Sequence, residues 1–271
     1  MFVRIVSGLL AAAIGAWAII AGGLPLLAVA MVVAVLSSRE LCDIARNRDI
    51  PANTFIAVPG TALAVVASYS GHFDYLPAIF AGIVISSLVA HIVFYGTRAA
   101  ISGPAVTVMA SSYIGWPIAL LFQLRGEPRD IGGAWFTLLA VAVVVATDSG
   151  AYFSGFALGR TKLCPAISPK KTVEGALGGL FFGILTGVLF NLVAPRYGLL
   201  RLPWSHTLVL SLLTSVSGEA GDLVESAIKR DAGVKDSGVF LPGHGGALDR
   251  FDSVVFGIAV VYYYVVIFGR A

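Results

Sequence analysis

Three carboxylates lie in an otherwise apolar stretch of the chain: Glu219, Asp222 and Glu225. Residues three apart share one face of a helix, so the sequence predicts a strip of acids on that face. Ionisable groups inside membrane spans are costly, and by default they mark functional sites. Like charges repel one another unless a cation neutralises them, and hard divalent cations such as magnesium take carboxylate oxygens as ligands. We therefore expect a metal site here, and a proton relay is the competing interpretation.

A further acid, Asp148, closes the apolar run that begins near residue 132. Its position at the end of a predicted span makes it an additional candidate for the same metal, because an intramembrane carboxylate needs a partner. Pairing with an arginine at the helix end is the structural alternative. The sequence thus predicts that two separate helices contribute carboxylates to one site.

The passage from Ser226 to Ser253 combines basic residues, glycines and acids. Lysine and arginine neutralise phosphate oxygens, and this passage carries Lys229, Arg230, Lys235 and Arg250. Residues 242–246, Pro-Gly-His-Gly-Gly, predict a turn whose backbone amides can approach a ligand. His244 in that turn is a candidate for catalysis or for a hydrogen bond to the backbone. Asp249 and Asp252 are three apart, so they can face the same metal.

A second basic segment precedes the apolar run that starts at residue 174. It carries Arg160, Lys162, Lys170 and Lys171. Ser168 before Pro169 is typical of a helix start, and a helix N-terminus flanked by lysines favours phosphate. The alternative is that these lysines only set membrane topology. We interpret the segment as a second anion-binding site.

The composition indicates a membrane protein. Of the 271 residues, 58% are hydrophobic and 12% are charged, against about 25% charged residues in soluble domains. Apolar runs of roughly 20 residues are long enough to cross a bilayer as helices. The sequence therefore predicts an all-α, polytopic helical membrane protein with about nine transmembrane helices, near residues 4–21, 24–45, 54–70, 76–96, 103–124, 132–157, 174–194, 207–227 and 250–268.

The basic residues predict the orientation of these spans. With nine spans, the N-terminal side carries 13 of the 18 lysines and arginines, so that side is expected to be cytoplasmic. Every lysine lies after residue 160. We therefore expect a scaffold of transmembrane helices over residues 1–131 and a catalytic part over residues 132–271, with the active site on the cytoplasmic side of the inner membrane.

The seventh span has glycines at every fourth position: Gly175, Gly179, Gly183 and Gly187. Such spacing forms a smooth helix face that lets another backbone approach closely. The partner could be a helix of the same subunit or of a second copy.

The passage from Ser226 to Ser253 resembles the signature of phosphatidate cytidylyltransferases, also called CDP-diacylglycerol synthases. The matching positions are Ser226, Lys229, Arg230, Lys235, Asp236, Pro242, Gly243, His244, Gly245, Gly246, Asp249, Arg250, Asp252 and Ser253. A second block, from Asp148 through Arg160 to Gly175, is also similar to the family.

This resemblance implies that CTP and phosphatidate react to give CDP-diacylglycerol and pyrophosphate, with magnesium required and a second cation nearby. It also implies a homodimer, and we expect no nucleic-acid partner. We assign catalytic roles to Asp222, Asp249, Lys229, Arg230, Lys235 and His244. The candidate metal ligands are Asp148, Glu219, Asp222 and Asp249. The candidates for binding CTP are Arg160, Ser168, Lys170, Lys171, Thr172, Glu174, Asp236, Gly245, Gly246 and Arg250.

Two other functions are compatible with parts of the sequence. A CTP-dependent kinase acting on a polyprenol or another lipid would use the same nucleotide but transfer its γ-phosphate. A cation-coupled transporter would use the intramembrane acids as a relay and would show internal repeats, which the sequence lacks.

Overall fold

The computed structural model describes residues 2–127, 129–199, 201–238 and 245–268. Within these ranges the chain forms nine α-helices and one short β-hairpin. In chain order they are α1 (Phe2–Ala21), α2 (Gly23–Arg46), α3 (Thr54–Tyr69), α4 (Leu76–Tyr95), α5 (Ser102–Arg125), α6 (Ile131–Leu158), β1 (Lys162–Cys164), β2 (Ser168–Thr172), α7 (Val173–Val193), α8 (Trp204–Asp231) and α9 (Leu248–Phe268).

Each predicted span coincides with one of these helices to within a few residues. Among the described residues, seven helical segments are long and apolar enough to cross a membrane, while α3 and the Leu10–Ala21 part of α1 are shorter apolar helices. The predicted class, an all-α polytopic membrane protein, is confirmed.

The chain forms two compact units. The first contains the described residues of 1–129 and 228–251, and the second contains those of 130–227 and 252–271. Residues 228–251, which include most of the signature passage, therefore belong to the same unit as the N-terminal helices. The predicted functional division at residue 131 stays a prediction.

In the first unit, a tight break separates α1 from α2. Gly22 and Gly23 have φ values of 64° and 53°, in the left-handed region that glycine adopts without strain. The last carbonyl groups of a helix lack partners within the helix. The guanidinium of Arg125, which is 2% exposed, fills this need by donating to the carbonyls of Ile19 (2.5 Å) and Ile20 (2.9 Å).

Hydroxyl side chains line the packed faces of α2, α3 and α5. Thr61 on α3 donates to the Ala57 carbonyl at 2.9 Å and lies 3.1 Å from the Ser38 hydroxyl on α2. Ser68, also on α3, donates to the Ala119 carbonyl on α5 at 2.7 Å. Small hydroxyl residues let helices approach closely in a membrane, and their polar atoms find backbone partners there. The hydroxyl groups at these helix contacts are therefore hydrogen-bonded within the core of the unit.

In the second unit, the glycine face of α7 packs within the chain. Gly175, Gly179, Gly183 and Gly187 are all buried. The nearest atoms to a methyl group added at Gly179 include the Thr147 carbonyl on α6, and at Gly187 they belong to Ser211 on α8. Of the two partners left open by the sequence, the helices of the same chain are the ones observed.

We expect Gly179→Ala to destabilise the protein, because the added methyl carbon would lie 2.8 Å from the Thr147 carbonyl oxygen. Overpacking of this kind costs about 1–3 kcal/mol. The matched control is Gly82→Ala in α4, where nothing lies within 4 Å of the added methyl. Thermal unfolding in detergent, followed by tryptophan fluorescence, should give a lower midpoint for Gly179→Ala only. Equal midpoints would show that α6 and α7 are not tightly packed at this point.

Candidate active site

A pocket of about 680 Å³ opens in the second unit. Its volume falls within the range of ligand pockets, roughly 300–1,000 Å³. It lies among α6, the β-hairpin, the start of α7 and the acidic part of α8, and its polar lining residues are Asp148, Tyr152, Lys162, Lys170, Lys171, Thr172, Glu219 and Asp222. The pocket thus gathers acids from two helices with lysines from the hairpin.

An ion pair crosses this pocket. The Nζ atom of Lys171 lies 2.7 Å from Oδ2 of Asp222, and both side chains are partly exposed. Asp222 also accepts a hydrogen bond from the Ser226 hydroxyl at 3.3 Å. Asp148 and Glu219 interact electrostatically with Asp222 and with Lys171. The ammonium of Lys171 therefore interacts with three carboxylates, and the two other lysines of the lining lie on the β-hairpin.

Glu219 carries an unpartnered polar atom. Its Oε1 is buried and has no hydrogen-bond partner among the described residues. A buried polar group without a partner is costly, and a bound ion or water molecule is one way to satisfy it. The third acid of the predicted strip, Glu225, is 1% exposed and is not part of the pocket lining. The predicted strip of three acids is therefore divided, with Glu219 and Asp222 on the pocket.

The β-hairpin holds all three lysines of the pocket. Strands β1 and β2 are antiparallel, with Lys162 opposite Thr172 and Cys164 opposite Ser168. The base of the hairpin is closed by Glu174, whose carboxylate accepts from the amides of Arg160 (3.0 Å) and Thr161 (3.1 Å). Lys162 and Lys170 are exposed on the strands. The hairpin therefore fixes the backbone beneath the lysines and leaves their ammonium groups accessible to a ligand.

The prediction that Ser168 begins a helix is wrong. Ser168 lies in β2, and α7 begins at Val173. The reason is the side chain of Thr172, which accepts from the Gly175 amide at 3.1 Å and so caps the first turn of α7. Thr172 and Glu174, both predicted to bind CTP, have their side-chain oxygens engaged by the protein backbone.

A second cluster lies in the first unit, around Asp249 at the start of α9. Lys229 donates to Asp249 Oδ1 at 2.5 Å, and the two side chains are 12% and 8% exposed. Oδ2 of Asp249 accepts from the Ser237 amide (2.9 Å), the Ser237 hydroxyl (3.0 Å) and the Gly246 amide (2.8 Å). Asp249 therefore connects α8 with both ends of the segment from Ser237 to Gly246.

A residue that the sequence analysis did not single out completes this cluster. Glu40 on α2 accepts from the Ala247 amide, the Leu248 amide and the Ser237 hydroxyl, all within 2.8–2.9 Å. In the sequence, Glu40 stands among Arg39, Asp43 and Arg46, an ordinary group of charges near a helix end. No local signal distinguishes it, because its partners lie about 200 residues away.

The other predicted site residues of the first unit are placed as follows. Arg230, Lys235, Asp236 and Arg250 are exposed. Gly245 has a φ of 77°, in the left-handed region, and the Gly246 amide donates to Asp249. His244 lies outside the described residues. The exposed basic side chains are accessible to a phosphate ligand.

The acids suit magnesium by chemical type, but they are not gathered around one point. Over the described ranges, no three His, Cys, Asp or Glu side chains lie close enough together to hold a metal ion. Carboxylate oxygens are the donors that magnesium prefers. Asp148, Glu219 and Asp222 therefore match the cation by chemical type, and not by their spacing in this structure.

Comparisons with known proteins agree along the whole chain. Residues 2–268 match the cytidylyltransferase family. The chain is 34% identical to the phosphatidate cytidylyltransferase of Bacillus subtilis over 274 residues, covering 98% of this chain and 97% of the relative. It is 33% identical to that of Staphylococcus aureus strain COL over 257 residues, covering 94% of this chain and 95% of the relative. This extent of similarity shows that the chain belongs to the cytidylyltransferase family.

Proposed function

We propose that this protein is a phosphatidate cytidylyltransferase, which converts CTP and phosphatidate to CDP-diacylglycerol and pyrophosphate. The observation that carries the proposal is a pocket that combines lysines with carboxylates, in a chain whose relatives of that name match nearly its full length. A lipid substrate suits an enzyme built of membrane-spanning helices. A nucleoside triphosphate suits a pocket with three lysines on its wall.

The reaction requires one bond to form and one to break. An oxygen of the phosphatidate phosphate forms a bond to the α-phosphorus of CTP. The bond from that phosphorus to the oxygen shared with the β-phosphorus breaks, and pyrophosphate leaves with the electron pair. The phosphate nucleophile is already ionised near neutral pH, so a strong general base is unnecessary. Positioning and charge neutralisation are then the main sources of catalysis.

The pocket of the second unit is proposed to bind the CTP phosphates. Lys162 and Lys170 are exposed on the hairpin, where they can bind phosphate oxygens. Lys171 is close enough to Asp222 to orient it. Asp148, Glu219 and Asp222 would hold magnesium, which neutralises phosphate charge when bound. Arg160 would extend this anion-binding surface beyond the pocket.

The cluster of the first unit is proposed to position the basic residues of the signature passage. Lys229 is held by Asp249, while Arg230, Lys235 and Arg250 are exposed and can bind phosphate. Asp236 and the Gly245 amide belong to the same proposed phosphate-binding segment. The role of Asp249 as a metal ligand stays a prediction, as does a catalytic role for His244. The contacts of Asp249 already give it a function in fixing this segment.

We further propose that the protein lies in the inner membrane with its pocket facing the cytoplasm. In the nine-span topology, the loops with more lysines and arginines lie on that side. The proposal of a homodimer rests on the family resemblance alone. The glycine face that could have supported it is covered by helices of the same chain.

The first test uses CTP labelled at the α- or the γ-phosphate, with purified protein, phosphatidate and magnesium. We expect α-label in the lipid and none from the γ-phosphate. Asp222→Asn should reduce this transfer by about a hundredfold or more, because a carboxylate that pairs with Lys171 and holds the cation is lost. Omission of magnesium should have a similar effect.

Asp231→Asn on the same helix is the matched control for this test. Asp231 pairs with Arg48 at 3.0 Å, but both side chains are more than half exposed, so the pair contributes little to stability. This variant should keep wild-type turnover. Transfer of the γ-label would identify a lipid kinase instead, and absence of both labels from the lipid with folded protein would contradict the proposed reaction.

A second test concerns Lys171. Lys171→Met removes the ammonium that faces Asp222, so the pocket keeps its acids and loses one positive charge. We expect the KM for CTP to rise about tenfold to a hundredfold, the range for a lost charge-assisted hydrogen bond of about 1.5–3 kcal/mol. Initial rates over a range of CTP concentrations measure this.

Arg201→Gln is the control for Lys171→Met. Arg201 is exposed and is not among the residues that line the pocket, so its removal should leave the KM for CTP unchanged. If Lys171→Met shows a wild-type KM for CTP, the assignment of this pocket to the nucleotide is wrong.

A further inference from the structure

We propose that Glu40, on the second helix of the chain, is a positioning residue for cytidylyl transfer, acting by holding the start of α9 and the segment before it. The kinetic part of this inference rests on the proposed function. It gives part of the N-terminal helices, predicted only as scaffold, a role in the reaction.

The contacts of Glu40 join two points that are separated in the sequence. Its Oε1 accepts from the Ala247 amide at 2.9 Å. Its Oε2 accepts from the Leu248 amide and from the Ser237 hydroxyl, each at 2.8 Å. Ser237 is 7% exposed, and Ala247 and Leu248 are fully buried. One carboxylate therefore fixes both ends of the segment from Ser237 to Ala247.

The surroundings favour a carboxylate at this position over other side chains. The first amides of a helix have no acceptor within the helix, and the positive end of the helix dipole favours an anion there. A local side chain usually supplies this cap, whereas here Glu40 does so from another helix. Glutamine would present one acceptor and one NH₂ donor, and the NH₂ group would face amides that also donate.

Glu40 and Asp249 act on the same segment. The Ser237 hydroxyl lies 2.8 Å from Glu40 Oε2 and 3.0 Å from Asp249 Oδ2, and it has a single proton to donate. Asp249 in turn holds the ammonium of Lys229. A shift of Ser237 after the loss of Glu40 would therefore change the position of Asp249 and of Lys229, which the proposed reaction needs.

Glu40 also lies against two glycines, Gly238 and Gly246. A methyl group added at Gly238 would lie 2.7 Å from Glu40 Oε1, and one at Gly246 would collide with Glu40 Oε2. At both positions an added side chain would require the Glu40 carboxylate to move. This close packing indicates that Glu40 positions the two described ends of the segment, residues 237–238 and 246–248.

The experiment compares Glu40→Gln with Asp43→Asn in the full-length protein in detergent. Asp43 lies one turn along α2 and pairs with Arg39 and Arg46 at the surface, so it controls for loss of a carboxylate from this helix. Two properties are measured. The first is kcat and the KM for CTP with α-labelled CTP, and the second is hydrogen–deuterium exchange of the amides in residues 245–250.

For Glu40→Gln we expect kcat to fall at least about tenfold, the cost of misplacing reacting groups. The KM for CTP should change much less, because Glu40 is not part of the pocket lining. Exchange at Ala247 and Leu248 should accelerate, while exchange in α5 stays at the wild-type rate. Asp43→Asn should match the wild type in every measurement.

Wild-type kcat and wild-type exchange at Ala247 and Leu248 in Glu40→Gln would overturn the proposal. Accelerated exchange throughout the first unit would overturn it as well, because Glu40 would then be a residue of general stability. If Glu40→Gln does not fold, Ser237→Ala removes one of its contacts and must show the same loss of kcat. If the wild type transfers no label, the proposed function has failed, and the exchange experiment still tests whether Glu40 holds the segment.

Discussion

Pairing of lysines with carboxylates is the interaction on which both clusters depend. An ionised carboxylate away from water is unstable unless a cation and hydrogen-bond donors compensate it. Lys229 does this for the largely buried Asp249 in the first unit, and Lys171 pairs with the partly exposed Asp222 in the second. The first cluster adds backbone amides, so its charges are well compensated. The second combines three acids with three lysines, two of them exposed, and contains a buried carboxylate oxygen without a hydrogen-bond partner among the described residues.

The helices support these clusters through small residues, which let neighbouring backbones approach closely. Glycines on α7 and hydroxyl residues on α3 allow neighbouring backbones to come together, and the hydroxyls bond to carbonyl groups instead of remaining unsatisfied in an apolar medium. Close packing of α6 and α7 fixes Asp148 and the hairpin within the same unit. The local geometry of the pocket therefore depends on small residues of α7, and of its four buried glycines Gly175 also lines the pocket.

The sequence predicts the helices well because the length of an apolar run is a direct physical measure of a span. It also identifies the pocket acids Asp148, Glu219 and Asp222, since charge is conspicuous in such a context. Prediction from the sequence fails where two contacting residues are far apart in the chain, or where two local signals compete. Ser168-Pro169 has the chemistry of a helix start, yet the cap supplied by Thr172 moves that start by several residues. Glu40 is unpredictable because the amides that it binds become neighbours only after folding.

The break between α1 and α2 has a consequence for biosynthesis. Arg125 donates to carbonyl groups of Ile19 and Ile20, which precede it in the chain by more than 100 residues. A nascent chain is made from its N-terminus, so the first two helices enter the bilayer before this guanidinium exists. The end of α1 must therefore satisfy its carbonyls with water or lipid headgroups until α5 has been translated and inserted. The connection between the first two helices is therefore completed only when the fifth helix is in place.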